Sequence, residues 1–313
     1  MIDLTQIWRE MKTEKEKTMN HSGFTGFVNE IQENGWPVHG LELWVNGKLA
    51  DSFGDTQNTR YPIYSVTKSM VSIAVGMASE DGFLNIDDCV LQYLPAKYIQ
   101  AMKAEQREAF EHISIQRLMT MSVDGFPFRL SGSDWLDEAL SIPLSHPNTR
   151  TFSYSNVPAY LVGVAVSFAV DERLDRYLDR KLFAPLGISE PPCQFSPEGF
   201  FYGASGMKLT VHELSRIGLM LSNEGKYAQK QIVSPAYVKE ATSVQQMNRE
   251  GGYGFFFWKY RDGFSLNGKW GQKCYVLPAR QLVITFLSYM EEGSDRIRIC
   301  MEKHLLDSRN DCH

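Results

Sequence analysis

Three features of this 313-residue chain predict an α+β protein, an antiparallel sheet flanked by helices with an all-α domain inserted into it. A strand–turn–strand pattern occupies residues 41–53, a helix-rich tract with no convincing alternating strand runs over 80–203, and apolar strand patterns return beyond residue 251. Early and late strands can share one sheet only if the intervening helices form an insertion. Residues 1–79 and 204–313 then make one domain, 80–203 the mainly helical second one, and the seam between them is the expected place for a site.

Taken in order, residues 3–34 place apolar side chains at helical spacing, first Ile7 and Met11, then Phe24, Phe27 and Ile31, ending at Asn34-Gly35. Leu41, Leu43 and Val45 alternate with Glu42 and Trp44, and Asn46-Gly47 supplies the positive-φ pair of a type I′ turn before the return strand 48–53. Pro62 extends the segment leading to Ser65. Residues 65–79 (SVTKSMVSIAVGMAS) are small and apolar with Met70, Ala74 and Met77 at helical spacing, which predicts a buried helix. Further helices are expected over 99–111, 114–121, 134–140, 155–170 and 172–183, with a long aromatic loop over 123–150. Thr210 followed by Glu213 is a capping box that opens a helix over 210–223. Strands are expected over 253–260, 274–277 and 281–289, and a last helix over 294–306.

Composition narrows the function classes. The net charge is −5, and the densest basic segment (Lys12, Lys15, Lys17) is interleaved with Glu14 and Glu16, so neither nucleic acid nor an anionic membrane is an expected partner. Cys89, Cys193, Cys274, Cys300 and Cys312 are odd in number and scattered, which suits free thiols in a reducing compartment. The start carries no apolar stretch of signal-peptide length, and the longest apolar run, 157–170, is too short for a membrane and contains Pro158 and Gly163. A soluble, cytoplasmic protein is expected. The sequence leaves its oligomeric state open.

Three short patterns carry chemistry. Ser65-Val66-Thr67-Lys68 is an S-x-x-K, a pattern that 26 serines and 16 lysines generate about once by chance. A second, Ser205-Gly206-Met207-Lys208, lies in a glycine-rich turn, whereas Ser65 opens an apolar helix. There the spacing puts hydroxyl and amine on one helical face, the first-turn N–H groups favour negative charge near Ser65, and apolar surroundings disfavour the Lys68 ammonium. Tyr154-Ser155-Asn156 sits at the mouth of the apolar helix, where a phenol can relay a proton and an amide can hold a substrate carbonyl. Gly268-Lys269-Trp270-Gly271-Gln272 precedes the strand CYVLP, and glycines next to an edge strand let a substrate approach backbone N–H donors. Standing alone, the first two patterns read better as a capping serine and a core tyrosine, and the third reads at least as well as a plain turn.

In this order the three resemble the serine β-lactamase and penicillin-binding-protein superfamily, nearest the class C β-lactamase-like serine hydrolases, which include esterases and amide hydrolases. IYSVTKSMVSIAVG, ISIQRLMTMSVDG, YLVGVAV, LFAPLGI, GASGMKLTVHELSRIGLML and GYGFFFW extend the resemblance over most of the chain. It implies the β-lactamase-like (DD-peptidase) fold, Ser65 as acylated nucleophile, Lys68 and Tyr154 as proton-transfer pair, and Asn156 as substrate-positioning amide. It also implies an oxyanion hole from the N–H of Ser65 and one near Gly268 and Lys269, with no metal and no organic cofactor. One departure stands out. The third motif is usually Lys-Thr-Gly or His-x-Gly, and here it is Leu266-Asn267-Gly268, whose leucine cannot attract a carboxylate; Lys269 and Lys273 are the candidates to compensate.

A cytosolic esterase or amidase acting on a small ester, amide or lactam is therefore the favoured expectation. Tyr61, Tyr64, Phe126, Phe128, Trp135, Trp258 and Trp270 put aromatic surface near the expected seam and point to an apolar pocket. The rivals are a β-lactamase or DD-peptidase, and a silent acyl- or ligand-sensing protein of the same fold. Seven histidines with no HxH or HExxH pair, and the absence of G-x-S-x-G, disfavour a zinc enzyme and an α/β-hydrolase.

Overall fold

The computed structural model describes residues 21–144 and 146–307; Ile7, Met11, the basic segment at Lys12, Lys15 and Lys17, and Cys312 lie outside them. Helix α1 (21–33) buries Phe24, Phe27 and Ile31 as their spacing requires. Strands β1 (Val38–Val45) and β2 (Lys48–Gly54) form the expected hairpin, and Asn46 and Gly47 take φ values of 52° and 71°, the left-handed pair of a type I′ turn. After the short strand β3 (Tyr61–Pro62), a 3₁₀ turn (Tyr64–Val66) runs into α2 (Thr67–Glu80). Ser65 thus lies in the turn before the α-helix. Residues 67–78 of α2 are all buried, Lys68 among them, so the helix is enclosed on every side instead of amphipathic.

The described residues between 81 and 207 add α3 (Ala96–Ala101), α4 (Ala104–Glu111), α5 (Ile115–Met119), α6 (Trp135–Leu140), α7 (Val157–Ala169) and α8 (Leu174–Leu178), and no sheet strand. The single helix expected over 99–111 is two. Met102 and Lys103 are extended, with ψ of 140° and 151°, while the Arg107 guanidinium donates to the Ile99 carbonyl and Gln106 accepts from the Lys103 N–H. The helix expected over 172–183 is α-helical only through α8, then widens into a π turn at Asp179–Phe183.

Strand β4 (Lys208–Leu209) pairs with β3, and α9 (Val211–Ser222) opens with the expected capping box: Thr210 Oγ1 accepts from Glu213 N–H at 3.0 Å, and Glu213 Oε2 accepts from Thr210 N–H at 2.9 Å. A small hairpin, β5 (Lys226–Tyr227) and β6 (Lys230–Gln231), leads to α10 (Pro235–Thr242), a helix that apolar periodicity does not announce. Strands β7 (Trp258–Tyr260), β8 (Gly263–Gly268), β9 (Gln272–Leu277) and β10 (Leu282–Ser288) follow, then α11 (Asp295–Met301), continued by a π turn. No described helix is long and apolar enough to cross a membrane.

Early and late strands do share one antiparallel sheet, in the order β2-β1-β10-β9-β8-β7. The strand expected over 253–260 is confined to β7. Phe255 N–H donates to Ala241 O at 2.8 Å and Phe256 N–H to Met119 O at 3.0 Å, so this stretch binds the ends of α10 and α5 instead of the sheet. Strand β7 covers β8 only over Gly263–Ser265, so Leu266–Gly268 run past it with one side unpaired, and the Gly268 turn lies at a locally free edge. Tyr275, Leu277, Leu282, Ile284 and Phe286 face α1 and α11, while Cys274, Val276, Val283 and Leu287 face α9. Cover on both faces explains why 282–287 (LVITFL) is apolar at consecutive positions save Thr285.

Candidate active site

Ser65 sits on the bend that precedes α2. Tyr64, just before it, has φ of 46°, a left-handed value uncommon for a residue with a side chain and frequent at functional sites. Trp270, at φ of 62°, packs its ring edge-on to Tyr64 with centroids 5.1 Å apart. Two strained turns therefore meet beside Ser65.

Lys68, on the first turn of α2, is 1% exposed. Its Nζ lies 3.1 Å from Ser65 Oγ, and it donates to Asn156 Oδ1 at 2.7 Å and to the Ala204 carbonyl at 3.0 Å. Among the described residues no carboxylate pairs with it within salt-bridge distance, and burial pulls its pKa from 10.5 to about 7. The amine is thus poised to be neutral near physiological pH while touching the serine.

Tyr154, Ser155 and Asn156 lie in the turn before α7, which is tied to the 123–150 loop. Ser155 Oγ donates to the Pro127 carbonyl at 2.6 Å and accepts from Val157 N–H at 3.1 Å, and Asn156 N–H donates to the Phe128 carbonyl at 3.0 Å. The helix cap is therefore supplied by Ser155, leaving the Asn156 amide for Lys68. Tyr154 packs against Phe152, Tyr253 and Trp258, with the Lys68 nitrogen 5.0 Å from its ring centroid. Burial pushes its phenol up to about 12, opposed in part by contact with the Ser65 hydroxyl.

Gly268 and Lys269 close the other wall. A Cβ on Gly268 would lie 2.3 Å from the Ile63 carbonyl oxygen, so only glycine lets the end of β8 approach the segment that carries Ser65. The Lys269 amine lies 4.1 Å from the Trp270 ring centroid. Leu266 is fully buried in the core opposite Cys274, whereas Asn267 and Lys273, directly paired across β8 and β9, line the cleft. Burial lowers Lys273 to about 8, and Asn267 Oδ1 is buried without a hydrogen-bond partner among the described residues.

Ser65, Tyr154, Asn156, Gly268 and Lys269 all line one cleft of about 820 Å³, with Lys68 beneath it. Of the aromatic residues expected near the seam, Tyr64, Phe128, Trp135 and Trp258 line it; Tyr61 stacks on His39, Phe126 packs on Phe110, and Trp270 packs on Tyr64 and Tyr289. Sequence reasoning missed Tyr202, Gln194, Glu250 and Asp295 on the walls, none of which belongs to a short pattern. Ser205, from the second S-x-x-K, also lines the cleft, but its Lys208 is exposed on β4.

A family model described as Beta-lactamase matches residues 43–298. A beta-lactamase of Pseudomonas fluorescens is 28% identical over 167 residues, covering 50% of this chain and 44% of that protein, so the match spans less than half of the relative. A penicillin-binding-protein homologue from Caulobacter crescentus superposes with a TM-score of 0.73 at 13% identity, covering 90% of this chain and 95% of its own. A class C beta-lactamase in complex with cefoxitin gives 0.72 at 14%, covering 94% and 99%. At these identities the two structures speak for the fold alone. With the family model matched over most of its length, the chain belongs to the beta-lactamase family.

Proposed function

We propose that the protein is a serine hydrolase that cleaves an ester or amide through an acyl-enzyme on Ser65. The observation that carries this reading is the Lys68 amine, buried, depressed to about 7 and 3.1 Å from Ser65 Oγ. A neutral amine has two protons and one lone pair. Asn156 Oδ1 and the Ala204 carbonyl accept the protons, which turns the lone pair to the serine hydroxyl. Ser65 Oγ attacks the acyl carbon as its proton passes to Lys68, and backbone N–H groups of Ser65 and Lys269 receive the oxyanion. Tyr154, protonated at neutral pH, gives its proton to the leaving group and recovers one from Lys68; water then releases the acyl group.

Leu266, withdrawn into the core, supports esters and amides over β-lactams or peptidoglycan stems, and the four described cysteines, all free thiols, support a reducing compartment. Short p-nitrophenyl esters and nitrocefin, assayed with the parent and Ser65→Ala, test the proposal. Ester turnover that Ser65→Ala abolishes, with little nitrocefin turnover, is expected; unchanged ester turnover in Ser65→Ala refutes the mechanism. Stoichiometric labelling of Ser65 by a fluorophosphonate without turnover of any ester or amide would favour a sensor.

A further inference from the structure

Away from the cleft, on the sheet face covered by the terminal helices, Glu30 of α1 meets Cys300 and His304 of the C-terminal helical run. Their ligand atoms all lie within 4.8 Å of one another. Glu30 Oε2 is 2.8 Å from His304 Nε2 and accepts from Lys303 Nζ, also at 2.8 Å. Cys300 is 2% exposed. The helices come this close because α1 presents glycine twice: a Cβ on Gly23 would lie 2.4 Å from the His304 carbonyl oxygen, and one on Gly26 would lie 2.7 Å from His304 Nδ1.

We propose that Glu30, Cys300 and His304 bind one zinc ion that clips the terminal helices together. One sulfur, one imidazole nitrogen and one carboxylate oxygen suit a borderline-soft tetrahedral ion with water in the fourth position, whereas calcium and magnesium take oxygen ligands. Tetrahedral zinc sets ligand atoms about 3.3–3.6 Å apart, so Glu30 Oε2 and His304 Nε2, now 2.8 Å apart, must separate by about 0.5 Å while the widest pair, within 4.8 Å, closes by about 1 Å. Lys303, whose side chain is 63% exposed, must swing off Glu30. On binding, the Cys300 thiol releases its proton to solvent, and His304 coordinates as neutral imidazole in place of its present contact with Glu30. A search for paired histidines misses this set because Glu30 lies 270 positions before Cys300.

Metal-stripped protein is titrated with Co(II) as a spectroscopic probe, and with Zn(II) in thermal melts. One Co(II) per chain is expected, with a thiolate-to-cobalt charge-transfer band that Cys300→Ser abolishes and His304→Gln weakens at least tenfold in affinity. Zn(II) should raise the Tm of the parent by a few degrees and leave that of Cys300→Ser unchanged. Glu30→Gln, which keeps an acceptor for Lys303, should fold as the parent does yet bind more weakly. No charge-transfer band, a band that survives Cys300→Ser, or one lost instead in Cys312→Ser would overturn the proposal.

Discussion

Lowering the pH from 8 to 6 should slow acylation of Ser65 about tenfold. Burial takes Lys68 from 10.5 to about 7, which amounts to about 5 kcal/mol against its ammonium form. About nine-tenths of the amine is then neutral at pH 8 and about one-tenth at pH 6, and only the neutral form accepts the serine proton. Tyr154, held near 12, keeps its proton throughout. Fluorophosphonate labelling followed by intact mass reads the shared step, attack by Ser65 Oγ as Lys68 takes its proton, with Lys68→Met as the control that loses it. The same burial opposes folding. Between pH 7 and 10.5 the unfolded chain holds a Lys68 proton that the folded chain has released, so stability rises with pH in that window, by at most about 1.4 kcal/mol per unit; the penalty is complete below pH 7 and gone above 10.5. Urea melts at pH 7 and pH 9 should therefore show the parent gaining about 2–3 kcal/mol relative to Lys68→Met. Acylation that is flat from pH 6 to 8, or still climbs tenfold per unit beyond pH 8, refutes the assignment of Lys68 as the base.

Three further outcomes follow from packing. Gly268→Ala, whose Cβ would lie 2.3 Å from the Ile63 carbonyl oxygen, should push the end of β8 off the Ser65 segment and lower kcat by about 10²-fold, the scale of losing one oxyanion donor, as steady-state ester kinetics would read. Ser155→Ala removes the donor to Pro127 and the cap of Val157, and should cost about 1–2 kcal/mol in urea melts. Arg117→Met strips the carbonyls of His112, Ser122, Pro147 and Thr149 of one shared guanidinium, and should cost about 2–4 kcal/mol and expose the 123–150 loop to limited proteolysis.

Elements set by local chemistry were legible in the sequence. The hairpin is fixed by Asn46-Gly47, α9 by its Thr210–Glu213 box, and β10 by an apolar run too short for a helix. What escaped depends on distant partners. Residues 253–257 are aromatic like a strand, but the Phe255 and Phe256 N–H groups bind the Ala241 and Met119 carbonyls, and the break at Met102–Lys103 is held by Arg107 reaching back to Ile99. Helix α10 has a local start signal in Ser234-Pro235, yet its weak apolar stripe hides it.

The site divides in the same way. Spacing alone brings a lysine nitrogen near a serine oxygen, and the chain makes that spacing twice. At Ser205 the lysine, Lys208, is exposed to solvent on a strand. At Ser65 the amine is buried and met by two acceptors, 88 and 136 positions away, which fix its protons and leave its lone pair to the hydroxyl. The two S-x-x-K sequences therefore differ in Asn156, Ala204 and the apolar packing of α2. Moving those acceptors, with the serine and lysine untouched, should silence the pair. Asn156→Leu frees one N–H of Lys68 to rotate, so the lone pair loses its aim and the rate of fluorophosphonate labelling falls, while the S-x-x-K itself remains intact; labelling at the parental rate would show that the spacing suffices without its acceptors.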